Sequence, residues 1–512
     1  MKPYWLVVLF CCAVAPSATV AASPAPVVLT RAGSVRGMAG YPEVFRGIPY
    51  AAAPVGRLRW REPMPVRRWS GVRDATHFGN DCMQAPWIVL SGVPFSEDCL
   101  TLNIWTPGHA AAERRPVIVY LYGGGFIGGS GAYALYDGAT LAREGVVVVN
   151  LNYRIGVLGF LAHPQLAAES PRRTSGNYGL LDQIAALQWI HDNIAAFGGD
   201  PKRVTIFGES AGAVSVAMLL VSPRAKGLFQ TAILQSVTVP RLAARADAEA
   251  AGARLGADIA QLRALPAENL IAHNFDFFAH SADEFTDMEF PSPTLDGDVL
   301  PEQPRGAFER GAINPAEVVV GYNADEGGMF MPPEPKQTKA SYEAWVRSHF
   351  GDLAPQVLHV TPAGDDASAP AAMSAVLGDV VFNESGRMVA RATAKAGLRT
   401  YAYLFTKSLA NRPPAPWHSE SVRYVFGTLD APGFVPWRPA ADAGDHILSR
   451  TMRRYWARLA ARGDPNGPGL PYWPAYDTKT DQYIEFAEPV RAGGGFRREA
   501  IDLAAQYWGA AR

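Results

Sequence analysis

Val204-Thr205-Ile206-Phe207-Gly208-Glu209-Ser210-Ala211-Gly212 is a β-branched apolar run that stops at Gly-x-Ser-x-Gly, and residues 213–221 after it are small, apolar and helical in character. A strand, a sharp turn and a helix around this motif make a nucleophile elbow, in which the backbone is strained and the serine hydroxyl stands clear of the sheet. A Cβ at Gly208 or Gly212 would collide with the neighbouring strand or helix, so both positions call for glycine. Ser210 is therefore the candidate nucleophile. The competing reading is a glycine-rich turn with an incidental serine, so its partners must be sought along the chain.

Working outward, residues 117–122 form a continuous apolar run that opens into Gly123-Gly124-Gly125-Phe126. Residues 145–152, 231–234, 318–320 and 400–405 are further runs of this kind, and 100–105 alternates like a strand. Unbroken apolar runs signal strands covered on both faces. Leu180, Ile184, Leu187, Ile190, Ile194 and Phe197 recur three or four places apart and predict an amphipathic helix stopped by Gly198-Gly199. Strands alternating with helices predict an α/β fold with a mostly parallel sheet and helices on both faces. Residues 27–44 predict a small hairpin layer, and 45–50 lead into a Pro/Arg-rich loop that ends near residue 65. Residues 445–461 predict a late amphipathic helix. Two blocks, about 240–295 and 330–395, break the rhythm and are expected to be insertions over the C-terminal edge of the sheet, where ligands bind in open α/β folds. The first contains an aromatic and acidic patch, 275–290, whose plainer reading is a solvated surface.

The chain has 512 residues, 48% hydrophobic and 19% charged, with a net charge of −1. That is enough chain for one large domain, and no basic run argues for nucleic acid or an anionic membrane. Lys2, an apolar stretch at 6–15 and small residues up to Ala22 describe a signal peptide cleaved before Ser23. Residues 23–512 are then expected to form a single exported domain, periplasmic or secreted, with no membrane span. Two cysteines remain after the leader, Cys82 and Cys99. In an oxidising compartment such a pair reads as one disulfide closing a short, exposed loop around Trp87; the alternative is two free buried thiols. The N-x-S sequence at Asn383 reads as an unused coincidence.

A serine needs a general base, and the base an orienting group. Where an elbow carries the serine, the acid and then the histidine follow it in the chain. Asp325 and Glu326 lie just past a predicted strand end, and His418 follows a Pro-rich loop. Physics alone leaves Asp325 and Glu326 open, and the chain holds other histidines. No metal-ligand cluster or phosphate loop is present, and no metal or organic cofactor is expected.

At this point the sequence resembles a known family. Phe197-Gly198-Gly199-Asp200-Pro201 followed by 204–212 is similar to the serine signature of type-B carboxylesterases, the group that includes the cholinesterases. Residues 97–107 resemble that family's second signature, 45–63 its N-terminal block and 122–126 its oxyanion loop. The resemblance implies an α/β-hydrolase fold and hydrolysis of small-molecule carboxylic esters through an acyl-enzyme. It places the acid on Glu326 and the base on His418, and an oxyanion hole on the N–H groups of Gly124, Gly125 and Ala211. Two departures stand out. The third position after the histidine, usually acidic, is Ser421, with Glu420 beside it; and the cysteine loop looks shorter than in cholinesterases. Glu209 is placed near the pocket floor, favouring cationic or neutral substrates, with a structural hydrogen-bonding role as the alternative. Other readings are a lipase, a carbamate or amide hydrolase of this fold, or a non-catalytic binding module.

Overall fold

The apolar runs assemble side by side. The computed structural model describes residues 24–86, 91–274, 292–331, 337–409, 416–432 and 440–510. Its main sheet contains, in chain order, β1 (Glu43–Pro49), β2 (Thr101–Thr106), β3 (Arg115–Leu121), β4 (Val147–Leu151), β5 (Gly199–Glu209), β6 (Thr231–Gln235), β7 (Glu317–Asn323), β8 (Thr400–Phe405), β9 (Gln482–Phe486) and β10 (Arg491–Gly494). Across the sheet they run β10-β9-β8-β7-β6-β5-β3-β4-β2-β1. From β9 across to β4 each neighbouring pair is parallel. The pairs at the two margins are antiparallel.

β3, β4 and β6 are buried almost end to end, so they have no polar face to show in the sequence. The strands the sequence did not announce are those at the margins. β1 is only half-buried and β10 mostly exposed, so neither needs an apolar run; residues 45–49, expected to lead into a loop, complete β1 instead. The expected hairpin layer is present as Val27–Leu29 against Ser34–Arg36, widened by Val72–Asp74.

Helix α1 (Tyr178–Asn193) ends in a 3-10 turn and then Gly198, at φ 79°. It is amphipathic as expected, with a narrow stripe of Ala185, Gln188, His191 and Asp192 left exposed or half-buried, and the rest is buried where it packs against β5 and the short helix Gly156–Phe160. α2 (Ala211–Val221) starts at the elbow and lies against β3, β5 and β6, buried except at its last residue. In the 330–395 block, α3 (Lys339–Phe350), α4 (Ala354–Val360) and α5 (Ala369–Gly378) pack with α9 (Arg498–Ala510) around a second core that includes Tyr342, Val346, Met373, Leu377 and Leu503. α6 (Glu384–Lys395), at the end of that block, lies on β7 and β8 in the sheet's own helical layer. α7 (Glu420–Phe426) and α8 (Ala443–Arg462) follow; Asp442 and Asp445 form a capping box at the start of α8, and Gly463 ends it at φ 64°. Asn383 is buried and donates to Asp379, which leaves its N-x-S sequence closed to a glycan.

Cys82 and Cys99 are disulfide-bonded. The loop they close is exposed at Pro86, Gly92, Pro94 and Asp98, as expected, but buried at its start and in the residue before it. Asp81, Met83 and Gln84 are buried. Gln84 Nε2 donates to Gly129 O at 2.8 Å, and Gly129 N donates to Gln84 Oε1 at 2.9 Å. Asp81 accepts from the hydroxyls of Ser91 and Ser130. The loop is thus laced to the glycine-rich segment after β3. Trp87, the patch at 275–290 and the leader at 1–22 lie outside the described residues.

Candidate active site

The C-terminal ends of β3, β5 and β7 point the same way, and the loops that leave them meet at one place. β5 ends at Glu209, and Ser210 follows at φ 55°, ψ −126°, a conformation an L-residue seldom adopts. Contacts on both sides hold it there. Ser210 N donates to Gln235 O at 3.0 Å, and Val214 N donates to Ser210 O at 2.9 Å. A Cβ on Gly208 would strike the backbone of Gly212, and one on Gly212 would strike the carbonyl of Leu121 in β3. The two glycines let helix and strand close on the turn from opposite sides. Ser210 is only partly buried, in an otherwise buried stretch.

The imidazole side is built from side chains. His418 Nδ1 and Glu326 Oε2 are 2.6 Å apart, across 92 residues of chain. The other Glu326 oxygen accepts from Ser236 Oγ at 2.6 Å, from Asn323 N at 2.5 Å and from Asn323 Nδ2 at 3.2 Å. A carboxylate with both oxygens engaged is fixed in one rotamer. Asp325, the neighbour that residue chemistry left open, accepts instead from Gly328 N at 3.1 Å and from the hydroxyl of Ser374. Glu326, not Asp325, therefore reaches the ring. The rings of Phe382 and Phe330 pack on the imidazole, with centroids at 4.6 Å and 5.1 Å.

At the other edge of the ring, His418 Nε2 lies 3.1 Å from Glu209 Oε1 but out of hydrogen-bonding alignment, and makes no hydrogen bond to any described residue. Glu209 Oε1 accepts from Ser419 Oγ at 2.6 Å. Burial lowers the pKa of His418, but the facing Glu209 and Glu326 outweigh it and hold the pKa above the ordinary histidine value. Burial raises the pKa of Glu209, against the pull of His418 and Ser419. Glu209 is 3% exposed, so little of its carboxylate faces solvent or a bound molecule. Ser210 Oγ is hydrogen-bonded to no described residue, His418 included. Such bonds are often unformed in an unliganded site and tighten when substrate arrives.

Beside the serine runs the glycine loop after β3. A Cβ on Gly123 would lie 2.6 Å from Glu209 O and 3.0 Å from Ser210 Cβ, so the loop passes directly along the elbow. Gly124 and Gly125 take positive φ, 106° and 60°, and are more open to solvent than the buried residues around them. Ala211 is the first residue of α2, where a helical N–H has no partner within the helix. Among the described residues, the N–H groups of Gly124, Gly125 and Ala211 donate to no protein acceptor. Ser421, where an acid was expected, is fully buried and accepts from Gln235 Nε2 at 3.3 Å, which also donates to Tyr403 Oη at 3.1 Å. A neutral network thus takes the place of the carboxylate. Glu420 is engaged by Trp417 Nε1 at 3.1 Å and by Arg423 at 3.6 Å.

Comparison with known proteins decides the family. Residues 24–504 match the model of the carboxylesterase family. The chain belongs to that family. A fumonisin B1 esterase of Sphingopyxis macrogoltabida is 42% identical to this esterase, over 94% of this chain and 90% of that one. Carboxylesterase 5A of the dog is 34% identical, over 94% and 89% of the two chains. An acetylcholinesterase of Bungarus fasciatus is 34% identical, over 94% and 86%. The protein is accordingly a carboxylic-ester hydrolase of α/β-hydrolase fold acting on small-molecule esters. No helix among the described residues is long and apolar enough to cross a membrane.

Sequence reasoning passed over Ser236, Asn323, Phe330, Phe382 and Ser419 in this esterase. Ser236 and Asn323 had a usable signal: each sits at the C-terminal end of a strand at or next to the elbow's neighbours. Phe330 and Phe382 had none, because only tertiary packing brings the second block against residue 418.

Proposed function

We propose that Ser210 attacks the ester carbonyl while His418 takes its proton and then passes it to the leaving alcohol. Glu326 fixes the imidazole with its proton on Nδ1 and stabilises the imidazolium that forms. The N–H groups of Gly124, Gly125 and Ala211 receive the negative oxygen of the tetrahedral intermediate, a contribution of about 3 kcal/mol per donor in comparable sites. Water then attacks the acyl-enzyme by the same route. The observation that carries this reading is the imidazole held by Glu326 at one nitrogen, with the other unbonded and 3.1 Å from Glu209, the residue that precedes a serine on a strained turn. A fluorophosphonate should label the wild-type protein and fail to label a folded Ser210→Ala variant; equal labelling of both would overturn it.

The finer substrate reading rests on likeness. Fumonisin B1 is the first substrate to assay, beside p-nitrophenyl esters of increasing acyl length. A maximum at long chains would make the protein a lipase, and turnover of anilides or carbamates with Ser210 intact would widen the class. We also propose that residues 1–22 are removed on export and that residues 23–512 form one catalytic domain outside the cytoplasm. The Cys82–Cys99 bridge supports this, since such bonds persist in oxidising compartments. An N-terminus beginning at Ser23 in the exported protein is the expected result.

A further inference from the structure

The residue after the proposed base has an unusual setting. Ser419 is in the left-handed region at φ 74°, where glycine is the natural occupant, yet it carries a side chain. Its hydroxyl donates to Glu209 Oε1 at 2.6 Å. That same oxygen is the one 3.1 Å from His418 Nε2, and Nε2 nevertheless has no hydrogen bond. A buried carboxylate this near an imidazole would ordinarily turn to take its proton. Here the bond from Ser419 fixes the direction of that carboxylate, and Nε2 is left out of line with it.

We propose that Ser419 is a positioning residue that sequesters Glu209, so that the Nε2 proton of the imidazolium is delivered to the leaving alcohol instead of being captured by Glu209. The inference rests on the roles proposed for Ser210 and His418. In the collapse of the tetrahedral intermediate, the proton on Nε2 passes to the departing alkoxide oxygen as the carbon–oxygen bond breaks. An aligned Glu209 carboxylate would compete for that proton at this moment. The charged groups facing the ring are Glu326, from the loop after β7, and Glu209, at the end of β5. Tyr120, Tyr136, Tyr153 and Tyr403 interact electrostatically with Glu209 and are kept neutral by burial.

The test is Ser419→Gly in the full-length mature enzyme, alone and with Glu209→Gln. Glycine suits the backbone at this position, so thermal stability should be no lower than wild type, and loss of activity then cannot be loss of fold. Sequestration predicts a kcat lowered about tenfold with KM within about twofold, a modest part of what general acid–base catalysis contributes. It also predicts an acid limb of kcat/KM moved upward, since a freed carboxylate aligned on the imidazolium stabilises it. In the Glu209→Gln background, Ser419→Gly should change kcat less than about twofold, because the competing charge is gone. Unchanged kcat and pH profile in Ser419→Gly would overturn the proposal, as would an equal loss in both backgrounds. Ser419→Ala, which also lacks the hydroxyl, repeats the measurement should the glycine variant prove unstable. If Ser210→Ala kept its activity, the triad reading would fail instead, a result separate from any of these.

Discussion

The two halves of the site are built from different materials. The serine half is made of backbone: a turn at φ 55°, glycines that let β3 and α2 close on it, and amides in the loop after β3. Each of its parts is one short run of sequence, 123–125 or 208–212, and its shape follows from where side chains are missing. The imidazole half is made of side chains from β6, β7 and the loop before α7, meeting across as many as 92 residues and held by hydrogen bonds that only the folded chain supplies. The contrast implies that the first half fails by steric collision and the second by loss of a charge or a hydrogen bond. It also explains why the residues of the first point to their own role, whereas those of the second needed the family resemblance to single out Glu326 and His418.

The sharpest way to break this comparison is to remove reacting atoms without touching the backbone. Ser210→Ala should lower kcat by about 10⁶-fold with the thermal transition unchanged, measured with a chromogenic ester. Glu326→Gln keeps the shape of the imidazole half but removes its charge, and should cost about 10⁴-fold in kcat with little effect on KM. Asp325→Asn, which leaves the ring's partner in place, should retain most of the activity; a loss as large as that of Glu326→Gln would reverse the choice between the two carboxylates.

Smaller effects test what supports each half. Reducing the Cys82–Cys99 bridge, or replacing both cysteines by serine, should lower stability by about 3 kcal/mol in denaturant unfolding, as for a loop of this size. Activity should fall as well, because the loop is laced to Gly129 and Ser130. Burial raises the Asp81 carboxyl from 3.8 to about 6. A carboxyl raised in the folded state contributes stability below its unfolded pKa and loses it as pH rises through the folded one. Between pH 4 and 6 the wild type should therefore lose about 2–3 kcal/mol relative to Asp81→Asn, read from unfolding midpoints across that window. The smallest effect concerns the base. Glu209 and Glu326 overcome the lowering effect of burial on His418, so activity should be lost as pH falls through a pKa above the ordinary histidine value, and Glu209→Gln should move that limb to lower pH.

Legibility followed burial. The strands from β3 to β8 were visible because, covered on both faces, they could be nothing but apolar; β1, β9 and β10 were not, because a half-exposed edge strand tolerates a mixed sequence. Helix α1 was placed correctly along the chain and in character, but its periodicity said nothing of the short helix packed against it, which narrows its exposed stripe. The cysteine loop was read as paired yet exposed, and the hydrogen bonds that bury Asp81 and Gln84 come from a segment about 45 residues away.

The sequence by itself determined the elbow, the glycines beside it and the family, because those depend on short-range sterics and on which positions can hold no Cβ. The resemblance placed the acid on Glu326, but only the tertiary structure decided how that carboxylate is held against residue 418, how a neutral Ser421 is accommodated and that the Ser419 hydroxyl meets Glu209. Each of those depends on the direction of a side chain across a buried space, and direction is fixed by packing between distant segments, which no local pattern of residues encodes.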